Sequence, residues 1–171
     1  MAYDIIEVDV TLSASAYATG DVFFQLTEVP LPARACKLVN AFFTVQADAS
    51  TLGESINCLF FKSNAGGELG ILNGNATISV ANFGLNKYIG EVQLSVETDP
   101  DRVDNVAIYV MSQMNATNSD PTFPSAGPHV LKGDVDYPGA TQHGVYASAV
   151  VTNATPDIGS TSGKLILHVE Y

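Results

Sequence analysis

The chain has 171 residues and a mass of 18.0 kDa, enough for one well-filled core and too few for two. Charged residues make up 15%, against roughly 25% in an average soluble domain, and eighteen Asp and Glu against seven Lys and Arg leave a net charge of −11, which repels phosphate backbones and argues against nucleic-acid binding. No stretch approaches the roughly 20 apolar residues of a membrane helix, and Met1 to Leu12 has neither the basic leader nor the apolar run of a signal peptide, so the expectation is a cytoplasmic product that uses no membrane.

The first strand is predicted over Asp4 to Leu12, where Ile6, Val8, Val10 and Leu12 alternate with Glu7, Asp9 and Thr11. Ser13 to Asp21 is polar and turns the chain, with Gly20 able to supply a positive φ. Val22 to Val29 is the second strand, ended by Pro30 and Pro32. Cys36 to Ala47 and Ile56 to Ser63 follow, joined by a polar turn. Phe42-Phe43 and Leu59-Phe60-Phe61 are apolar on successive residues, the mark of strands buried on both faces. Their second face meets either a covering loop or a neighbouring subunit.

Asn64 to Asn75 is a glycine-rich loop. It lacks the Gly-Lys-Ser/Thr of a phosphate cradle and reads as surface. Ala76 to Phe83 reads as a short strand or turn. Lys87 to Glu97 is the clearest strand, with Tyr88, Val92, Leu94 and Val96 on one side and Glu91, Gln93, Ser95 and Glu97 on the other. Val106, Ile108 and Val110 then alternate with Ala107, Tyr109 and Met111. From Asn115 to Gly144 the alternation stops, and a loop or arm of that length is long for a compact domain. Val145 to Thr152 and Lys164 to Tyr171 close the chain, the last with Leu165, Leu167, Val169 and Tyr171 on one face. Without any sustained 3.6-residue period, the expected fold is all-β: one domain over 1–171, an antiparallel, jelly-roll-like β-sandwich with little or no helix and an insertion at 115–144.

No residue set announces chemistry. His129, His143 and His168 are scattered, Cys36 and Cys58 lack metal-ligand spacing and predict buried free thiols, with a bridge between neighbouring strands as the alternative, and Gly159 to Gly163 centres on Thr161, not on a nucleophilic serine. The acids of Asp99 to Asp104 and Asp134 to Asp136 do not follow a calcium-loop pattern. Asn75, Asn115 and Asn153 match glycan acceptors by chance in a chain so rich in Asn and Thr. No metal, cofactor or catalytic activity is expected.

Val10-Thr-Leu12 followed by Ala16-Tyr-Ala-Thr-Gly-Asp-Val22 resembles the opening of small virion structural proteins of tailed bacteriophages, marine and cyanobacterial phages among them. Asn57 to Asn64, Ile89-Gly-Glu-Val92 and the strand that ends at Tyr171 are similar too, while Asn115 to Gly144 is not covered. The resemblance implies a capsid decoration or cement protein on the virion exterior. Its partners would be the major capsid protein and further copies of itself, a homotrimer at local three-fold positions. Interaction residues are then sought in the Phe-rich strands and the long loop: Phe42, Phe60, Phe61, Phe123, His129, Tyr137 and His143. A tail-associated adaptor would use the same sandwich. A carbohydrate-binding module would have to stack sugars on Tyr109, Tyr137 or Tyr146, since the chain has no Trp.

Overall fold

Alternating sequence becomes alternating burial wherever a strand has one wet face. In the computed structural model, which describes residues 1–46, 55–76, 80–96, 106–111, 130–133, 144–153 and 158–171, strand β1 (Tyr3–Thr11) buries Ile6, Val8 and Val10 and exposes Glu7 and Asp9. Strand β9 (Ser162–Glu170) buries Leu165, Leu167 and Val169. Between them in sequence come β2 (Val22–Pro30), β3 (Ala35–Gln46), β4 (Ser55–Phe61), a seven-residue helix α1 (Val80–Asn86), β5 (Tyr88–Val96), β6 (Val106–Met111), β7 (Val130–Lys132) and β8 (Gly144–Asn153).

The strands form one antiparallel sheet in the order β1-β9-β3-β6-β5-β4-β8-β2, with β7 on the free edge of the first residues of β3. Setting β7 aside, the eight long strands pair first with last: β1 with β9, β2 with β8, β3 with β6 and β4 with β5. That nesting is a long antiparallel ribbon rolled up on itself, the jelly roll. The roll brings β1 and β2 alongside each other and nearly closes the sheet. Its two halves, β1-β9-β3-β6 and β5-β4-β8-β2, are the layers of the sandwich.

Between the layers lies an aromatic centre. Phe23, Phe24, Phe43 and Tyr109 are all 0% exposed, and the rings of Phe24 and Phe43 stack at 5.8 Å while Phe23 meets Phe43 edge-on at 5.3 Å. Rings in such offset and tilted contacts add to the gain from burial. Cys36 and Cys58 are buried free thiols in the same core.

The structure decides one open choice and corrects three local expectations. In β6 it is Ala107 and Tyr109 that turn inward, the Tyr109 ring packing against both Phe23 and Phe43, and Val106, Ile108 and Val110 take the other side. Tyr88 does not share the face of Val92 and Leu94. A bulge in β5 sets Phe60 opposite Gly90 and Phe61 opposite Tyr88, which carries Tyr88 to the outer side. Within Ala76 to Phe83, residues from Val80 onward begin α1, not a strand. The stretch from Asn115 to Gly144 is not wholly irregular, since β7 lies within it and pairs with Ala35 to Lys37.

Candidate interaction surface

The signature turn Ala16 to Val22 is built for structure. The Tyr17 ring is buried against Phe23 at 5.1 Å. Its hydroxyl accepts the Ser13 amide at 2.6 Å and donates to the Phe23 carbonyl at 3.1 Å. Asp21 accepts the Ala18 amide at 2.7 Å, and Gly20 takes a φ of 91° that a side chain would resist. Tyr17 and Asp21 therefore fix the corner between β1 and β2.

The two outer faces of the sandwich differ. Over β4 and its neighbours the chain covers itself. Leu59, Phe61, Val22 and Leu69 form a second buried cluster with Phe83, Tyr146 and Val150 packed against it. Asn86, 0% exposed, pins this cover by donating to the Gly67 carbonyl at 2.9 Å and accepting the Gly66 amide at 2.6 Å. The second face of the two-sided strand β4 thus meets the chain's own loop and helix. Beside that cover, Phe83 and Tyr88 lie 4.8 Å apart, and burial followed by the nearby Glu91 charge holds the Tyr88 phenol well above its ordinary range.

Among the described residues nothing covers the other face, formed by β1, β9, β3 and β6. It carries a row across the strands, Glu7, Ile166, Phe42 and Val110, set by the register of the pairs. Tyr3 and Ile5 extend it on β1, 69% and 58% exposed. Phe42 is half-buried and tilted against the His168 ring at 5.2 Å. Ion pairs flank the row: Lys37 with Glu170 at 3.3 Å, and Lys164 with Glu7 at 2.8 Å and Asp9 at 3.8 Å. The hydrogen bond and charge of Glu7 hold the Lys164 ammonium above its ordinary value. An open groove of about 470 Å³ runs along Asp9, Thr44, Gln46, Val106 and Lys164; its one cation is already engaged by two carboxylates.

Of the expected interaction residues, Phe42 alone among those described lies on this uncovered face. Phe60 is sealed in the core and Phe61 under the loop cover, both 0% exposed, so neither ring reaches a partner from the folded chain. Phe123, His129, Tyr137 and His143 lie outside the described residues, as do the acids of 99–104 and 134–136. As platforms for sugar stacking, Tyr109 is wholly buried and Tyr146 packs beneath the loop cover. Sequence reasoning missed Tyr3 and Ile5, whose signal was two large apolar residues in phase with Glu7 and Asp9, the wet face of the first strand. Among the described residues no three His, Cys, Asp or Glu side chains converge as a metal site would need, and no helix is long and apolar enough to cross a membrane.

No protein-family model and no curated protein matches the chain. A solved structure similar to it is a chain titled Desmodium yellow mottle tymovirus, at 9% identity and a TM-score of 0.30, covering 98% of this chain and 85% of that one. The strand order, not that loose superposition, defines the fold.

Proposed function

We propose that this chain is a non-catalytic virion structural protein: a decoration or cement protein on the outside of a tailed-phage head, bound to the major capsid protein lattice. The observation that carries the reading is the nested jelly-roll pairing of β1 with β9 through β4 with β5, an architecture that viral shells share with lectin and cupin domains. The resemblance of the Tyr17 corner and of Ile89 to Val92 to phage structural proteins selects the viral member of that set.

An ion-poor exterior supports it, because neutral polar groups are cheaper to desolvate at an interface than charges. So does the uncovered apolar row around Phe42 and Ile166, flanked by paired ions, the composition expected of an interface. Copies would sit as trimers at local three-fold positions, where a closed symmetry lets one patch serve every subunit.

Quantitative mass spectrometry of heads and tails separated from purified virions tests the reading. The expected result is a copy number comparable with that of the shell protein, in the head fraction. A few copies in the tail fraction would replace decoration by an adaptor role, and absence from both would overturn the virion assignment.

A further inference from the structure

Among the described residues the outer edge of β1 carries no ladder: β2 comes alongside it but hydrogen-bonds to β8, which leaves the β1 backbone groups there as a template for another strand. Ala2 and Tyr171 exchange both backbone hydrogen bonds, at 2.9 and 3.0 Å, and the Leu12 amide donates to the Thr161 carbonyl at 2.9 Å. In an antiparallel ladder, bonded and non-bonded pairs alternate, so the even-numbered residues of β1 bond to β9. The odd-numbered residues, Tyr3, Ile5, Glu7, Asp9 and Thr11, turn their N–H and C=O groups to the opposite edge. No described strand forms a ladder there. The Ile5 amide is met only by the carboxylate of its neighbour Asp4, at 2.9 Å.

The other end of the sheet is closed against such pairing. Two register shifts interrupt β2, Pro30 has no N–H to offer, and the Leu26 amide is taken by the Glu68 carboxylate at 2.7 Å. Bulges, proline and charge are the usual means of blunting an edge. By contrast β1 runs nine residues in unbroken register.

We propose that β1 accepts an extended segment of a different protein, added antiparallel, whose outward side chains run from cationic to apolar. The side chains of the same odd-numbered residues dictate that order. A segment added in this sense passes Asp9 and Glu7 first and Ile5 and Tyr3 afterwards, so lysines or arginines oppose the acids and apolar residues lie on the exposed Ile5 and Tyr3. A second copy of this chain is the poorer occupant. Full-length pairing of β1 with itself sets Glu7 opposite Glu7, and the nearby Lys164 is already shared between Glu7 and Asp9. In the virion reading the segment belongs to the shell protein; that attribution alone rests on the reading, and the edge chemistry does not.

The test uses the isotope-labelled full chain and an acetylated, amidated peptide Lys-Thr-Lys-Thr-Val-Thr-Val, with the reversed sequence as a control of equal composition and charge. Slowed exchange and shifted resonances at the Glu7 and Asp9 amides are expected with the first peptide and not with the second. Glu7→Pro deletes an N–H that bonds to none of the described residues, so it should abolish the response while the fold persists. The double variant Glu7→Gln, Asp9→Asn keeps the backbone intact and should weaken the peptide several-fold at low salt. No response, an equal response to both peptides, or an undiminished response in both variants would overturn the proposal. Co-sedimentation of the wild-type chain with undecorated heads is read separately: its failure removes the virion reading and leaves the peptide result standing.

Discussion

Two buried tyrosines with opposite hydrogen-bonding states give the sharpest contrast between single residues. Tyr17 bridges Ser13 and Phe23 through its hydroxyl, whereas the Tyr109 hydroxyl is buried without a partner. A satisfied hydroxyl contributes stability and an orphaned one costs it, each by about 1 kcal/mol or somewhat more. Tyr17→Phe should therefore lower the thermal midpoint and Tyr109→Phe should leave it unchanged or raise it, as calorimetry would show; a loss in both would mean that the rings and not the hydroxyls decide. Burial also pushes the Cys58 thiol and the Tyr109 phenol above their ordinary values of 9.0 and 10.0. Both groups keep their protons longer in the folded than in the unfolded chain. Their stabilisation is then complete below the thiol value and falls as pH rises through it. Urea midpoints should drop between about pH 8 and about pH 10, less steeply in Cys58→Ser. A thiol reagent should find Cys58 only after unfolding.

At the scale of elements, the cover over β4 hangs on Asn86. Asn86→Ala would strand the Gly66 amide and the Gly67 carbonyl at a cost of about 1–3 kcal/mol, and amide exchange at Gly66 should accelerate ahead of global unfolding. Gly163 is the corresponding tight point on β9, since an added methyl would run into the Phe43 ring and Leu12; Gly163→Ala should destabilise by about 1–3 kcal/mol through overpacking. The long strands were legible because Ile6 to Val10 and Leu165 to Val169 alternate in phase with burial. Elements set by tertiary contacts were not. In β6 both faces are apolar, so only the packing of Tyr109 against Phe23 and Phe43 chooses the inward side. Helix α1 is two turns long, too short to display a helical period, and contains Val80 and Gly84, weak helix formers. It is held by Phe83 against Phe61 at 5.4 Å. The bulge that moves Tyr88 has no sequence marker beyond Gly90. As for the interaction surface, Phe42 was legible as an apolar excess on β3, while the open edge of β1 follows from strand order, which no local pattern encodes.

For the whole molecule, rolling the ribbon gathers strand ends, while charge acts through its sum. The ends of β1, β3, β5 and β8 and the starts of β2, β4, β6 and β9 lie together. The chain carries eighteen Asp and Glu against seven Lys and Arg, a net charge of −11. Self-repulsion of that kind opposes the compact state and is screened within about 8–10 Å at physiological salt. The thermal midpoint should rise as salt is added. Asp99→Asn with Asp101→Asn should raise it at low salt and lose that advantage at high salt, in parallel melting curves; a fall on adding salt would contradict the charge argument. The jelly-roll wrapping, the self-covered face over β4 and the face that no described residue covers are the features on which the proposed docking to a shell rests. A cryo-electron reconstruction of the phage head tests that account most directly. It predicts three jelly rolls, one trimer, outside the shell at each local three-fold, with the β1-β9-β3-β6 layer of each turned to the shell protein. Heads lacking this density, or density seated through the α1 side instead, would contradict it.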